Sequence, residues 1–299
     1  DRRLLLAPAV LVTSLGILWA LSQPLSSAPD EPEHIIRAVS LYSGSGIKVP
    51  LQVVGQTFYG SVRAPEYFVH GLPRQGCVVN DAASPATCAS RHVSHPRRIV
   101  ETETSAAGHP PVYYLLVGWI GRLFPSGAGV MLMRIWSALM CGLLIAAATI
   151  TLSRRVGSMY PAVVALTAFS PVAAFMAGSV NPQSFEICFT LAAFALTWAL
   201  FSDLAGRGDA SPPRPVRYLV LLAASLGLGL TRPLSAVFLL AAAGAAIVLA
   251  RIPLRQLLRP PALLGTAAAM AGVVAAVLFE VLAGHSSVQL IPAEAPSTF

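Results

Sequence analysis

The sequence predicts an all-α membrane protein. It reads as a polytopic helical bundle of about seven spans, with a large extracytoplasmic first loop that carries juxtamembrane helices. Three observations lead there. Hydrophobic residues make up 55% of the 299 positions and charged residues only 11%, against about 25% charged in a soluble domain. Apolar runs long enough for a bilayer recur along the chain. Arginines, which make up 19 of the 20 basic residues beside the single Lys48, recur in the short turns between those runs. The composition excludes disorder, and collagen and coiled-coil periods are absent. The net charge of +7 forms no cluster on a soluble face, so nucleic acid is not an expected partner. The expected partner is the lipid bilayer.

Residues 1–21 hold the first span. Leu4–Leu21 is uncharged and follows Arg2 and Arg3. No small-x-small cleavage site closes it cleanly, so it reads as a retained helix. Residues 22–129 form the extracytoplasmic loop of about 108 residues, with 15 of the 33 charged side chains. That is too polar for lipid and too long for a turn. Within it, Pro111–Phe124 (PVYYLLVGWIGRLF) is short for a span and suits an interfacial or re-entrant helix. Residues 130–283 hold spans two to seven: Val130–Leu152, Met159–Val180, Phe185–Ser202, Tyr218–Leu230, Leu234–Ala250 and Ala262–Ala283. The fourth and fifth of these read as short or broken helices joined at Thr231-Arg232-Pro233. Residues 284–299 begin a further extracytoplasmic segment, and the chain is expected to be a piece of a longer one.

The arginine bias gives the orientation. With the N-terminus cytoplasmic and Pro111–Phe124 not crossing, the turns bearing Arg154/Arg155, Arg207/Arg214/Arg217 and Arg251/Arg255/Arg259 all fall inside, and the long loop falls outside. Cys77 and Cys88 then lie in the outer loop, with ten residues between them. An oxidising compartment permits a disulfide worth about 2–3 kcal/mol; two free thiols are the alternative. Their spacing matches no common zinc site. Cys141 and Cys188 sit in spans and suit apolar packing.

Three groups of residues are candidates for chemistry. The first is Asp30-Glu31-Pro32-Glu33-His34, just past the first span on the outer side. Three carboxylates and an imidazole can bind a cation or accept a proton. On a helix over the following residues, Asp30 and His34 share a face. A structural account also fits: Asp30 as N-cap, Pro32 in the first turn and Glu33 closing a capping box. The second is Gly108-His109-Pro110-Pro111-Val112-Tyr113-Tyr114. It reads as a membrane-surface anchor or as a segment that presents His109 to a site. The third is the set of polar residues near outer span ends: Arg134, Glu186, Arg232 and Glu280, with Asn181 and Gln183 in an outer turn. Each reads as a snorkelling or paired group, or as part of one outward-facing cavity. Guanidinium suits a phosphate, so Arg134 or Arg232 is a candidate for one. No Walker loop, GxSxG, HExxH or CxxC motif is present.

These elements carry a resemblance. PDEPEH after the first span, HPPVYYLLVGWIGRLF, and RIWSALMCGLLIAAATITLSRR together resemble the polytopic GT-C glycosyltransferases. Among these the resemblance is to the bacterial membrane-protein family called domain of unknown function 2142, over Leu4 to about Arg259. It implies a plasma-membrane enzyme, active on the extracytoplasmic face, that transfers a sugar from a polyprenyl-phosphate donor to a cell-envelope glycan or lipid acceptor. It implies Asp30, beside Glu31, as catalytic base or metal ligand. Mg²⁺ or Mn²⁺ would then be held by Asp30, Glu31 and His34, and Arg134 or Arg232 would steady the leaving phosphate. Glu33, His34, His109, Asn181 and Gln183 complete the expected substrate-binding set. The rival functions are a non-catalytic lipid-binding or scaffold subunit of an envelope assembly complex and, behind it, a transporter or flippase.

Overall fold

Apolar runs without charge form helices because a bilayer leaves no other partner for backbone N–H and C=O groups. The computed structural model describes residues 6–54, 57–72, 92–161, 163–164, 169–206, 215–283 and 289–291. In chain order the elements are α1 (Ala7–Ser22), α2 (Glu31–Ser40), β1 (Leu51–Val54), β2 (Thr57–Pro65), β3 (Ile99–Thr104), α3 (Val112–Leu123), α4 (Gly127–Val156), α5 (Pro171–Ala177), α6 (Pro182–Leu204), α7 (Pro215–Gly229), α8 (Ser235–Ala250), α9 (Leu254–Leu257), α10 (Pro260–Ala283) and β4 (Gln289–Ile291). They fall into two units. One is Asp1–Ala20 with Arg134–Val277, and the other is Leu21–Met133 with Leu278–Phe299. Cys77, Cys88, Arg207 and Arg214 lie outside the described residues.

The first unit is helical. Among the described residues three helices are long and apolar enough to cross a membrane: α4, α6 and Pro260–Leu282 of α10. The expected spans around α1, α7 and α8 appear as shorter apolar helices of 15 or 16 residues. At 1.5 Å per residue these cover roughly 23–24 Å, less than a hydrocarbon core of about 30 Å. The expected span Met159–Val180 is not one helix. A new helix starts inside it at α5, where the Ser170 side chain accepts from the Ala173 N–H and Pro171 takes the first turn. Proline there gives up an N–H that has no intrahelical partner in any case.

Small residues bring these helices close, as lipid-embedded packing requires. A Cβ on Gly272 would stand 1.9 Å from the Ser225 carbonyl oxygen, and one on Gly229 would stand 2.1 Å from that of Gly272, so α7 and α10 touch at backbone distance. Leu143, Val237, Val248, Leu264 and Val277 face outward. In water so much exposed aliphatic surface would drive association; against acyl chains it is the expected exterior.

The second unit corrects the all-α expectation. It contains a four-stranded sheet of order β3-β2-β1-β4, antiparallel except for the parallel β1–β4 pair. Alternation over stretches as short as β1 is a weak signal, and β3 pairs with β2 across more than thirty intervening residues. The helix expected over Pro111–Phe124 is present as α3. Tyr113, Tyr114, Val117 and Ile120 are buried on one side, while Leu115, Leu116, Trp119 and Leu123 are exposed on the other. α2 lies directly on α3, since a Cβ on Gly118 would fall 2.0 Å from the Ala38 carbonyl oxygen.

Candidate functional site

The acidic cluster opens α2 in an unexpected way. Asp30 occupies the N-cap position with a left-handed backbone, φ 58° and ψ 5°, and its side chain makes no cap hydrogen bond. The capping-box expectation is therefore overturned, because an N-cap side chain reaches the N2 and N3 amides from an extended backbone rather than a left-handed one. Ser26, four residues earlier, is also left-handed at φ 63°, so the approach to α2 is tightly wound. Asp30 is left exposed, while Glu31, next in the chain, is fully buried.

Glu33 turns the other way. Its Oε2 accepts from the Ser105 N–H at 2.8 Å, and its carbonyl oxygen accepts from the Thr104 hydroxyl at 3.0 Å. Instead of closing a box on its own helix, it fastens α2 to the short turn after β3.

The two polar motifs between α1 and α4 converge on one atom. The Tyr114 hydroxyl lies 2.9 Å from His34 Nδ1 and 2.9 Å from His109 Nδ1. Tyr114 is fully buried and His34 is 6% exposed. Proline at 110 and 111 stops regular structure before α3 and holds His109 in an extended conformation, φ −73° and ψ 145°, one turn from Tyr114. A phenol hydroxyl donates one hydrogen bond and accepts others, so at most one of the two imidazoles accepts from it and at least one donates to it.

Arg37 was missed by the sequence reading, which took it for part of an ordinary helix. It is fully buried. Its guanidinium donates to the carbonyls of Ile47 at 2.6 Å and Gly46 at 3.4 Å, while Nε has no hydrogen-bond partner. Burial lowers its pKa from the ordinary value, and the nearby Tyr114 offsets this in part. The signal that could have found it is helical spacing, since Arg37 lies three residues after His34.

Asp30, Glu31 and His34 are not assembled as a metal centre. Among the described residues no three His, Cys, Asp or Glu side chains come together in a group able to hold an ion, and His34 Nδ1 is engaged by Tyr114.

The remaining expected residues belong to the helical unit. Arg134 is fully buried and donates to the Ala20 carbonyl at 3.1 Å. Asn181 caps α6 by accepting from the Gln183 N–H at 2.9 Å. Arg232 pairs with Glu186 at 3.4 Å, and Glu186 also accepts from the Ser235 hydroxyl at 2.7 Å. Arg232 is thus a paired group, one of the two readings its position allowed, and Asn181 and Gln183 close a helix end.

A family model described as predicted membrane protein (DUF2142) matches residues 14–297. The chain belongs to this family. Its membrane character thus rests on family as well as on helix length and exposed apolar surface. The match includes the acidic cluster, both histidines, Tyr114 and the arginines of the helical unit. Comparison with curated proteins and with solved structures gave no match.

Proposed function

We propose that the chain is a membrane glycosyltransferase of GT-C type that moves a sugar from a polyprenyl-phosphate donor to a glycan or lipid acceptor on the extracytoplasmic face. The observation that carries the reading is the meeting of DEPEH and HPPVYY at Tyr114, with the Asp30 carboxylate left exposed one turn before His34 and unused by its helix. Such an arrangement suits a base: a solvent-reached carboxylate mounted beside a buried, hydrogen-bonded scaffold.

In the proposed reaction Asp30 takes the proton of the acceptor hydroxyl. That oxygen bonds to the anomeric carbon, the bond from this carbon to the lipid phosphate breaks, and the phosphate leaves as the anion. Glu31 and the His34–Tyr114–His109 chain hold α2 and its acidic start in place. Every step in this reading is carried by the chain's own residues.

The experiment supplies membranes containing the full chain with a labelled polyprenyl-phosphate sugar and an envelope acceptor fraction. Appearance of label in the acceptor supports the reading. Retention of the donor without any transfer product favours a lipid-binding subunit instead.

A further inference from the structure

The helical unit holds a cavity that the proposed reaction does not use. It occupies about 370 Å³, within the usual range for a small-ligand site. Three helix ends form it: the last turn of α4 with Arg154 and Arg155, the last turn of α6 with Asp203, and the first turn of α7 with Arg217. The inner wall is apolar and includes Leu196 and Leu200.

Among the described residues the charges do not balance. Asp203 is the sole described lining carboxylate, against three guanidinium groups. It accepts from both Arg155 and Arg217, which leaves two positive charges in excess. Arg155 also donates to the Ala199 carbonyl at 2.7 Å, yet its buried Nε has no hydrogen-bond partner. Asp203 pre-orients two of the arginines, much as a built anion site requires, without neutralising the group. Guanidinium donors in a fixed array match phosphate oxygens. Around Arg217 the outer surface of α7 is apolar and exposed at Val216, Leu219 and Val220. A ligand held here therefore has a phosphate on the arginines and a hydrocarbon surface beside it.

We propose that this cavity binds the phosphate of an anionic phospholipid headgroup. Basic pockets between membrane helices take such headgroups, and the arginine bias read from the sequence assigns this end to the cytoplasmic leaflet. The site shares no residue with the Asp30 region, so its fate is separable from that of the transferase reading.

The test reconstitutes the full chain in nanodiscs of phosphatidylcholine with or without phosphatidylglycerol and counts retained lipid by native mass spectrometry. Wild type is expected to retain phosphatidylglycerol in preference to phosphatidylcholine. Arg154→Gln and Arg217→Gln should each weaken that retention by about fivefold. Arg255→Gln, an exposed arginine outside the cavity, should leave it within about twofold. A thermal melt in pure phosphatidylcholine checks that each variant is folded; Arg154, exposed and outside the Asp203 pairs, is the safer of the two. Addition of inorganic phosphate distinguishes sources. Displacement of the lipid supports a general phosphate site, and failure to displace it supports a site that needs the whole headgroup. Equal retention of both lipids, or an equal loss in Arg255→Gln, would overturn the proposal.

Discussion

His34 Nδ1 lies 2.9 Å from the hydroxyl of Tyr114, 80 positions further along the chain. The same hydroxyl meets His109, so one side chain on α3 ties together the two polar motifs between α1 and α4. A single phenol proton cannot serve both imidazoles. At least one of the two rings therefore carries its proton on Nδ1 and donates to the hydroxyl. Nitrogen-15 NMR of selectively labelled histidines should find Nδ1 protonated in at least one of His34 and His109. Bare Nδ1 atoms in both rings would show that the shared hydroxyl is not the organising contact.

Removing that hydroxyl should be costly. Tyr114→Phe keeps the ring and its contacts with Tyr113 but takes away the group both imidazoles use. Denaturant unfolding should show a loss of about 1–3 kcal/mol, the usual result of depriving buried polar groups of a partner. A neutral result would mean that water replaces the hydroxyl without loss.

Gly118 allows α2 and α3 to touch. In Gly118→Ala the new methyl would sit 2.0 Å from the Ala38 carbonyl oxygen, which is backbone and cannot rotate away. The expected cost is about 1–3 kcal/mol, seen as lower thermal stability and faster proteolysis within Glu31–Leu123. Gly157→Ala is a poor comparison, since its open surroundings are offset by a φ of +69°. Gly244→Ala, with nothing near the added methyl and no positive φ, should be neutral or slightly stabilising.

Glu33 gives a separate handle on α2. Its carboxylate receives the Ser105 amide, a charge-assisted bond. Glu33→Ala should lower stability by about 1.5–3 kcal/mol, and Glu33→Gln, which keeps an acceptor, by less. Equal losses in the two variants, measured by denaturant unfolding, would assign the effect to packing rather than to the hydrogen bond.

High pH should loosen the sheet-containing unit. Burial raises the Tyr67 pKa above the ordinary 10.0, opposed in part by a hydrogen bond with the Gly127 backbone. The folded state therefore holds the phenol proton more tightly than the unfolded state. The stability linked to it is complete below about pH 10 and is lost as pH rises through the folded value. Thermal melts from pH 9 upward should show a decline that is shallower in Tyr67→Phe. Parallel declines in the two proteins would remove Tyr67 as a cause.

The sequence made the apolar helices legible because each depends on its own run of residues. α4, α6 and α10 fall where long apolar stretches with few charges predict them. The break before α5 was harder to see, since Ser170-Pro171 sits inside a stretch that stays apolar on both sides. The acidic cluster and the HPPVYY segment stood out as candidates, but the atom that joins them did not, because it depends on α3 folding back onto α2. The capping box failed for a local reason: Asp30 enters the helix from a left-handed backbone, which residue identity permits but does not announce. The sheet and the burial of Arg37 depend on pairings and packing between distant segments, and a one-dimensional pattern does not record those.

The central claim is that Asp30 is the base of a sugar transfer. The most direct measurement compares wild type and Asp30→Asn, in membranes, for transfer from a labelled polyprenyl-phosphate sugar and for donor binding. The account predicts that Asp30→Asn still binds the donor and that its transfer rate falls on the order of 10²–10⁴-fold. Transfer at the wild-type rate in the variant would contradict it.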